Sequence, residues 1–117
     1  MEFVYILKAT RGAMLSDGPT EAEMPALALH GEYLAGLADD GVLELAGRTQ
    51  NEDPSAFGIV IFRAPDPTAA REIMEADPAV RGGVMTAMLF PYRVAFRGGL
   101  GGATERADDG VGSDREG

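Results

Sequence analysis

The stretch Phe57-Gly58-Ile59-Val60-Ile61-Phe62 constrains this chain most, because it is apolar on both sides. Read as a strand, it puts Val60 and Phe62 on one face and Phe57, Ile59 and Ile61 on the other. A strand in an antiparallel sheet with one wet face alternates apolar and polar residues instead. Two further segments share the property. Phe3, Tyr5 and Leu7 oppose Val4 and Ile6, and Met85, Ala87 and Leu89 oppose Val84, Met88 and Phe90. Only Val42 to Gly47, which carries Glu44, comes near the half-wet pattern.

Two helical segments separate these strands. Thr20 with Glu23 has the form of a capping box, and Pro25 sets a kink or a start near Glu23. From there Leu27, His30, Leu34 and Leu37 line one stripe, flanked by Ala26 and Tyr33, until Gly41 closes the helix. Asp66-Pro67 supplies an N-cap and first-position proline for the second helix, which turns Ala70, Ile73 and Met74 inward and stops at Asp77-Pro78. Residues 11 to 19 read as a loop around the turn Asp17-Gly18-Pro19, and the last strand reads as long, Val84 to Phe96. The order βαββαβ predicts an α+β, ferredoxin-like domain over residues 1–97 with a four-stranded antiparallel sheet. Its first and third strands are central, and Pro91 suits an edge. Residues 98–117 collapse into glycine and acids and are expected to be a disordered tail.

Two helices cover one face of such a sheet, so the other face needs a partner. The tail is almost free of apolar residues and cannot serve. The expectation is a homodimer through the open sheet face and the last strand.

At 117 residues there is room for one core. No cysteine is present, which excludes disulfides, thiolate metal sites and a cysteine nucleophile. The net charge of −9 argues against nucleic acid and against anionic membranes. Five acids and two arginines in residues 98–117 carry three of those charges, leaving −6 on the body without any block of like sign. The opening Met1-Glu2-Phe3-Val4 lacks a basic leader, and its apolar run is too short for a signal peptide or a span, so the expected location is the cytoplasm. With one histidine and no cysteine, no metal site is expected, and no cofactor motif is present. Gly98-Gly99-Leu100-Gly101-Gly102 lacks the lysine and helix of a phosphate loop.

Two motifs carry a resemblance. His30-Gly31-Glu32-Tyr33-Leu34 is followed by Leu37, Gly41 and Leu43-Glu44-Leu45-Ala46-Gly47, and Glu75-Ala76-Asp77-Pro78 is followed by Gly82-Gly83-Val84. In order and spacing they resemble the YCII-related family over residues 1 to about 97. That resemblance implies a ferredoxin-like subunit pairing into a dimeric α/β barrel. It also implies a pocket in which a histidine and an aspartate form the site, here His30 and Asp77, with lyase-like or dehalogenating chemistry on hydroxylated aromatics. Two departures stand out. Ala79 replaces the aromatic that commonly follows Asp-Pro, and Asp17-Gly18-Pro19 lies before the first helix, where it is an ordinary turn.

His30 is the lone histidine, on the buried stripe of its helix, and imidazole suits proton transfer near neutral pH. A core histidine satisfied by a carbonyl is the plain alternative. Asp77 meets the unfavourable end of a helix dipole, which a second role would explain, although it also suits a cap for a turn beginning at Pro78. No serine or cysteine accompanies either motif, so acid–base work is expected and not covalent catalysis. Tyr33 and Arg81 are the candidate substrate-binding residues, with Arg93 behind them. Two functions stand at this point. One is a small cofactor-independent enzyme, lyase- or isomerase-type, acting on a small oxygenated compound. The other is a non-catalytic dimeric module that binds a small ligand or serves as a structural partner.

Overall fold

A computed structural model describes residues 1–98. The elements are β1 (Glu2–Ala9), α1 (Ala13–Asp17), α2 (Met24–Asp39), β2 (Leu43–Arg48), β3 (Gly58–Arg63), α3 (Pro67–Ala76), α4 (Pro78–Arg81) and β4 (Met85–Tyr92). The four strands form one antiparallel sheet in the order β2-β3-β1-β4. This is the α+β, ferredoxin-like arrangement, with β1 and β3 central and Pro91 on an edge strand.

The two-faced strands behave as their side chains require. Phe3, Tyr5, Leu7, Val60 and Phe62 turn toward the helices and form the core with Ala70 and Met74. Phe62 sits at the centre, its ring 6.0 Å from Phe3 and 5.6 Å, edge-on, from Tyr5. Removing such a ring costs about 3–5 kcal/mol. The opposite face carries Val4, Ile6, Ile59 and Ile61, and toward its edges Leu45, Met88, Phe90 and Tyr92 stand exposed.

Helix boundaries follow their caps. Thr20 and Glu23 form the reciprocal capping box, with Thr20 N–H donating to Oε1 at 2.8 Å and Glu23 N–H to Oγ1 at 3.2 Å. One turn later α2 begins at Met24, so Pro25 falls in its first turn and costs no intrahelical donor. At the other end Gly41, with φ +75°, lets the Val42 and Gly41 amides bond back to Leu37 and Ala38. Asp66 caps α3 through the Ala69 amide at 2.8 Å.

Three expectations are corrected. Residues 11–19 are not all loop, because Ala13–Asp17 close into a short helix with Met14 as its buried anchor. The last strand stops at Tyr92 and not at Phe96, because its partner strand runs out where Glu2 pairs with Tyr92. Glu44 is not a wet residue. It lies at a bulge in β2, its side chain is only 5% exposed, and Arg97 Nη1 reaches its Oε1 at 2.7 Å. Arg63 touches the other oxygen without hydrogen-bond alignment. The Val94 amide donates to Glu2 at 2.9 Å, so the chain after β4 crosses back over one end of the open face. Part of that face is thus covered from within. The expected disordered tail lies, beyond residue 98, outside the described residues. Among the described residues no helix is long and apolar enough to cross a membrane.

Candidate active site

Asp77 ends α3 and begins α4. Its extended backbone breaks the first helix, Pro78 starts the second, and its Oδ1 accepts the Ala79 amide at 3.0 Å. A carboxylate at the negative end of one helix is thereby also the cap of the next. It is fully buried, so every remaining acceptor position must be filled by the protein.

Two side chains fill them. Tyr5, projecting from the core face of β1 and fully buried, donates its hydroxyl to Oδ2 at 2.7 Å. His30, on α2, places Nδ1 2.7 Å from Oδ1 and 2.9 Å from Oδ2. Burial, and then the bond to Asp77, push the Tyr5 hydroxyl far above its ordinary value, so it remains a permanent donor. A carboxylate only accepts, so His30 Nδ1 is the donor in this contact and Nε2 points away from Asp77. No hydrogen bond from a described residue reaches Nε2.

His30 also lines a cavity of about 580 Å³. Leu27 and Leu34 from α2, Leu7, Ala46 and Val60 from the sheet, and Met14 and Leu15 from α1 form its apolar walls. Its rim is polar, made by Arg48, Thr49, Asn51 and Glu52 at the connection from β2 to β3. Asp53 orders that connection: it accepts from the Ser55 amide at 2.8 Å, from Asn51 at 3.1 Å and from the Ser55 hydroxyl. These bonds, the Ser55 hydroxyl foremost, hold its carboxyl at about 2. On the opposite wall the Arg11 guanidinium grips Glu23 at 2.7 and 2.9 Å and the Gly18 carbonyl at 3.2 Å, tethering the segment that carries α1.

The structure therefore brings His30 and Asp77 together. Tyr33 packs elsewhere: its hydroxyl donates to the Ile73 carbonyl at 2.8 Å, tying α2 to α3, and it is not part of the cavity lining. Arg81 is exposed at the end of α4 and lies outside the lining too. Sequence reasoning missed Tyr5 as a partner of Asp77, since nothing local marks a core tyrosine as the donor to a group 72 residues away. Among the described residues no group of three or more histidines, aspartates and glutamates is placed to hold a metal ion.

The comparisons agree with this geometry at the level of fold. The 5-chloro-2-hydroxyhydroquinone dehydrochlorinase of Burkholderia phenoliruptrix AC1100, solved in complex with 2,5-dihydroxybenzoquinone, superposes with a TM-score of 0.59 at 19% identity. The match covers 80% of this chain and 94% of that one. No curated protein matches the chain in sequence. The family model of the YCII-related domain matches residues 1–90, which include β1, both members of the His30–Asp77 pair and most of β4, and the chain belongs to that family.

Proposed function

We propose that this protein is a small enzyme that needs no cofactor and performs acid–base chemistry, of lyase or isomerase type, on a small oxygenated aromatic compound. The observation that carries this reading is the setting of His30. One ring nitrogen is bonded to a buried carboxylate, while the same side chain lines a cavity whose other walls are mostly apolar. Such a cavity suits a ring, and a histidine with an oriented Nε2 suits proton transfer.

In this reading Nε2 takes a proton from a hydroxyl or an acidic carbon of the bound compound. The electron pair left behind expels a leaving group elsewhere on the ring system. Asp77 stabilises the imidazolium until Nε2 returns the proton to the product or the leaving group. Tyr5 and the Ala79 amide hold Asp77 in place meanwhile. The structural neighbour is named as a dehydrochlorinase and was solved with a dihydroxybenzoquinone, which makes elimination on a hydroxylated ring the first chemistry to try.

The functional unit in this reading is a homodimer, with the apolar face bearing Met88 and Phe90 packed on its copy. A second reading, a non-catalytic binding module, uses the same cavity. Turnover of a panel of halogenated and plain hydroxylated aromatics separates them. A rate that falls by about 100-fold or more in His30→Ala supports the enzyme. Ligand binding without turnover, unchanged in His30→Ala and Asp77→Asn, leaves the module.

A further inference from the structure

The register of the sheet places a cation where a covered sheet face normally has none. Leu7 pairs with Gly58, and Gly58 pairs with Arg48, so the three form one row across β1, β3 and β2. Directly paired residues share a face, and Leu7 is a core residue. Two residues back along β2, Ala46 pairs with Val60, also in the core cluster. Arg48 therefore projects onto the helix-covered side, where it joins the cavity rim. Among the described residues it is the only lysine or arginine in the lining, and no carboxylate pairs with it. Arg48 is exposed and water solvates it, so its guanidinium is free to meet an anion that enters the cavity.

The glycine between them makes room. A Cβ on Gly58 would lie 3.8 Å from the Cβ atoms of both Leu7 and Arg48 and 3.3 Å from the Gly47 carbonyl. Without it, the floor from Leu7 to Arg48 is open across two strand spacings, roughly 10 Å. That span fits one six-membered ring with a charged substituent at its outer end.

Building on the acid–base reading above, we infer that Arg48 is the specificity residue of this cavity and selects small anionic compounds. A carboxylate or phenolate is held at Arg48, the ring lies over Gly58, and the reacting end reaches His30. Glu52 is the one carboxylate in the lining among the described residues, and it opposes this attraction.

The test uses the full chain and follows the ring signals of His30, the only histidine, by NMR. The probes are 4-hydroxybenzoate and its neutral counterpart 4-hydroxybenzamide. Wild type binds the anion about tenfold more tightly than the amide, as a charge-assisted hydrogen bond at an open rim provides. Arg48→Gln brings the ratio to about one, Arg48→Lys keeps part of it, and Glu52→Gln raises it. Added salt shrinks the preference. If both probes shift His30 with equal affinity, or Arg48→Gln keeps the preference, the role of Arg48 is overturned while the acid–base site stands. If neither probe shifts His30, both are overturned.

Discussion

The Tyr5 hydroxyl donates to Asp77 Oδ2 at 2.7 Å, binding the first strand to the turn between α3 and α4 across 72 residues of chain. Both groups are fully buried, so neither has water to fall back on. A hydrogen bond to a charged group contributes about 1.5–3 kcal/mol. Tyr5→Phe keeps the ring that packs on Phe62 and removes only the donor. The expected loss is about 2 kcal/mol, read as a lower urea midpoint with unchanged slope. On the proposed acid–base reading, turnover falls along with stability, because Asp77 then holds His30 less firmly.

Asp77 separates two effects when it is replaced in two ways. Asp77→Ala strands the Tyr5 hydroxyl, the Ala79 amide and His30 Nδ1 at once, and about 3–5 kcal/mol of stability is lost. Asp77→Asn keeps the shape and part of the bonding, so it folds with a smaller loss. It no longer stabilises a positive imidazole. Nitrogen-15 shifts of the ring are expected to show the proton on Nδ1 in wild type and a mixed tautomer in Asp77→Asn. A neutral wild-type ring with its single proton on Nε2 would contradict the geometry.

The open sheet face predicts association that one charge can undo. Met88 is 62% exposed and lies in register with Ile6 on that face, so it contributes little to the isolated fold. Sedimentation equilibrium is expected to give a dimer for wild type and a shift toward monomer for Met88→Glu. Burial of each large apolar side chain is worth roughly 1.5–3 kcal/mol, so the dissociation constant rises at least tenfold. A wild-type monomer at high concentration would sink the dimer.

Acid stability has one legible source in the Arg11–Glu23 clamp. The side-chain bonds from Arg11, with the Thr20 amide, hold Glu23 at about 2, below its ordinary 4.5. A carboxyl depressed in the folded state contributes stability that is fully present above about 4.5 and is lost as pH falls through about 2. Glu23→Gln is expected to flatten the decline in stability between those limits. Because the pair is at the surface, salt weakens the same contribution.

The sheet was legible in the sequence because apolar residues on both sides of a strand set it apart from its surroundings, as in Phe57 to Phe62. Caps were legible for a similar reason: Asp66-Pro67 and Gly41 carry their geometry locally. What escaped was set at long range. Helix α1 has too few residues to show a period, and Arg11 anchors its segment to Glu23. Where β4 ends depends on where β1 begins. Glu44 reads as a wet residue by alternation, yet Arg97, 53 positions on, reaches it. His30 and Asp77 were legible as a pair only through family resemblance. Tyr5 looked like one more core ring.

The position of β1 between β3 and β4 has a consequence for how the molecule comes into being. While the chain is being made, β1 can find β3 early, but its other edge stays open until β4 has been made. No fragment ending before β4 pairs both edges of β1, although one ending near Val84 already contains Tyr5, His30 and Asp77. Such a fragment holds the complete chemical trio on an unfinished scaffold. A peptide spanning β4, supplied separately, is therefore the natural complement that would restore it.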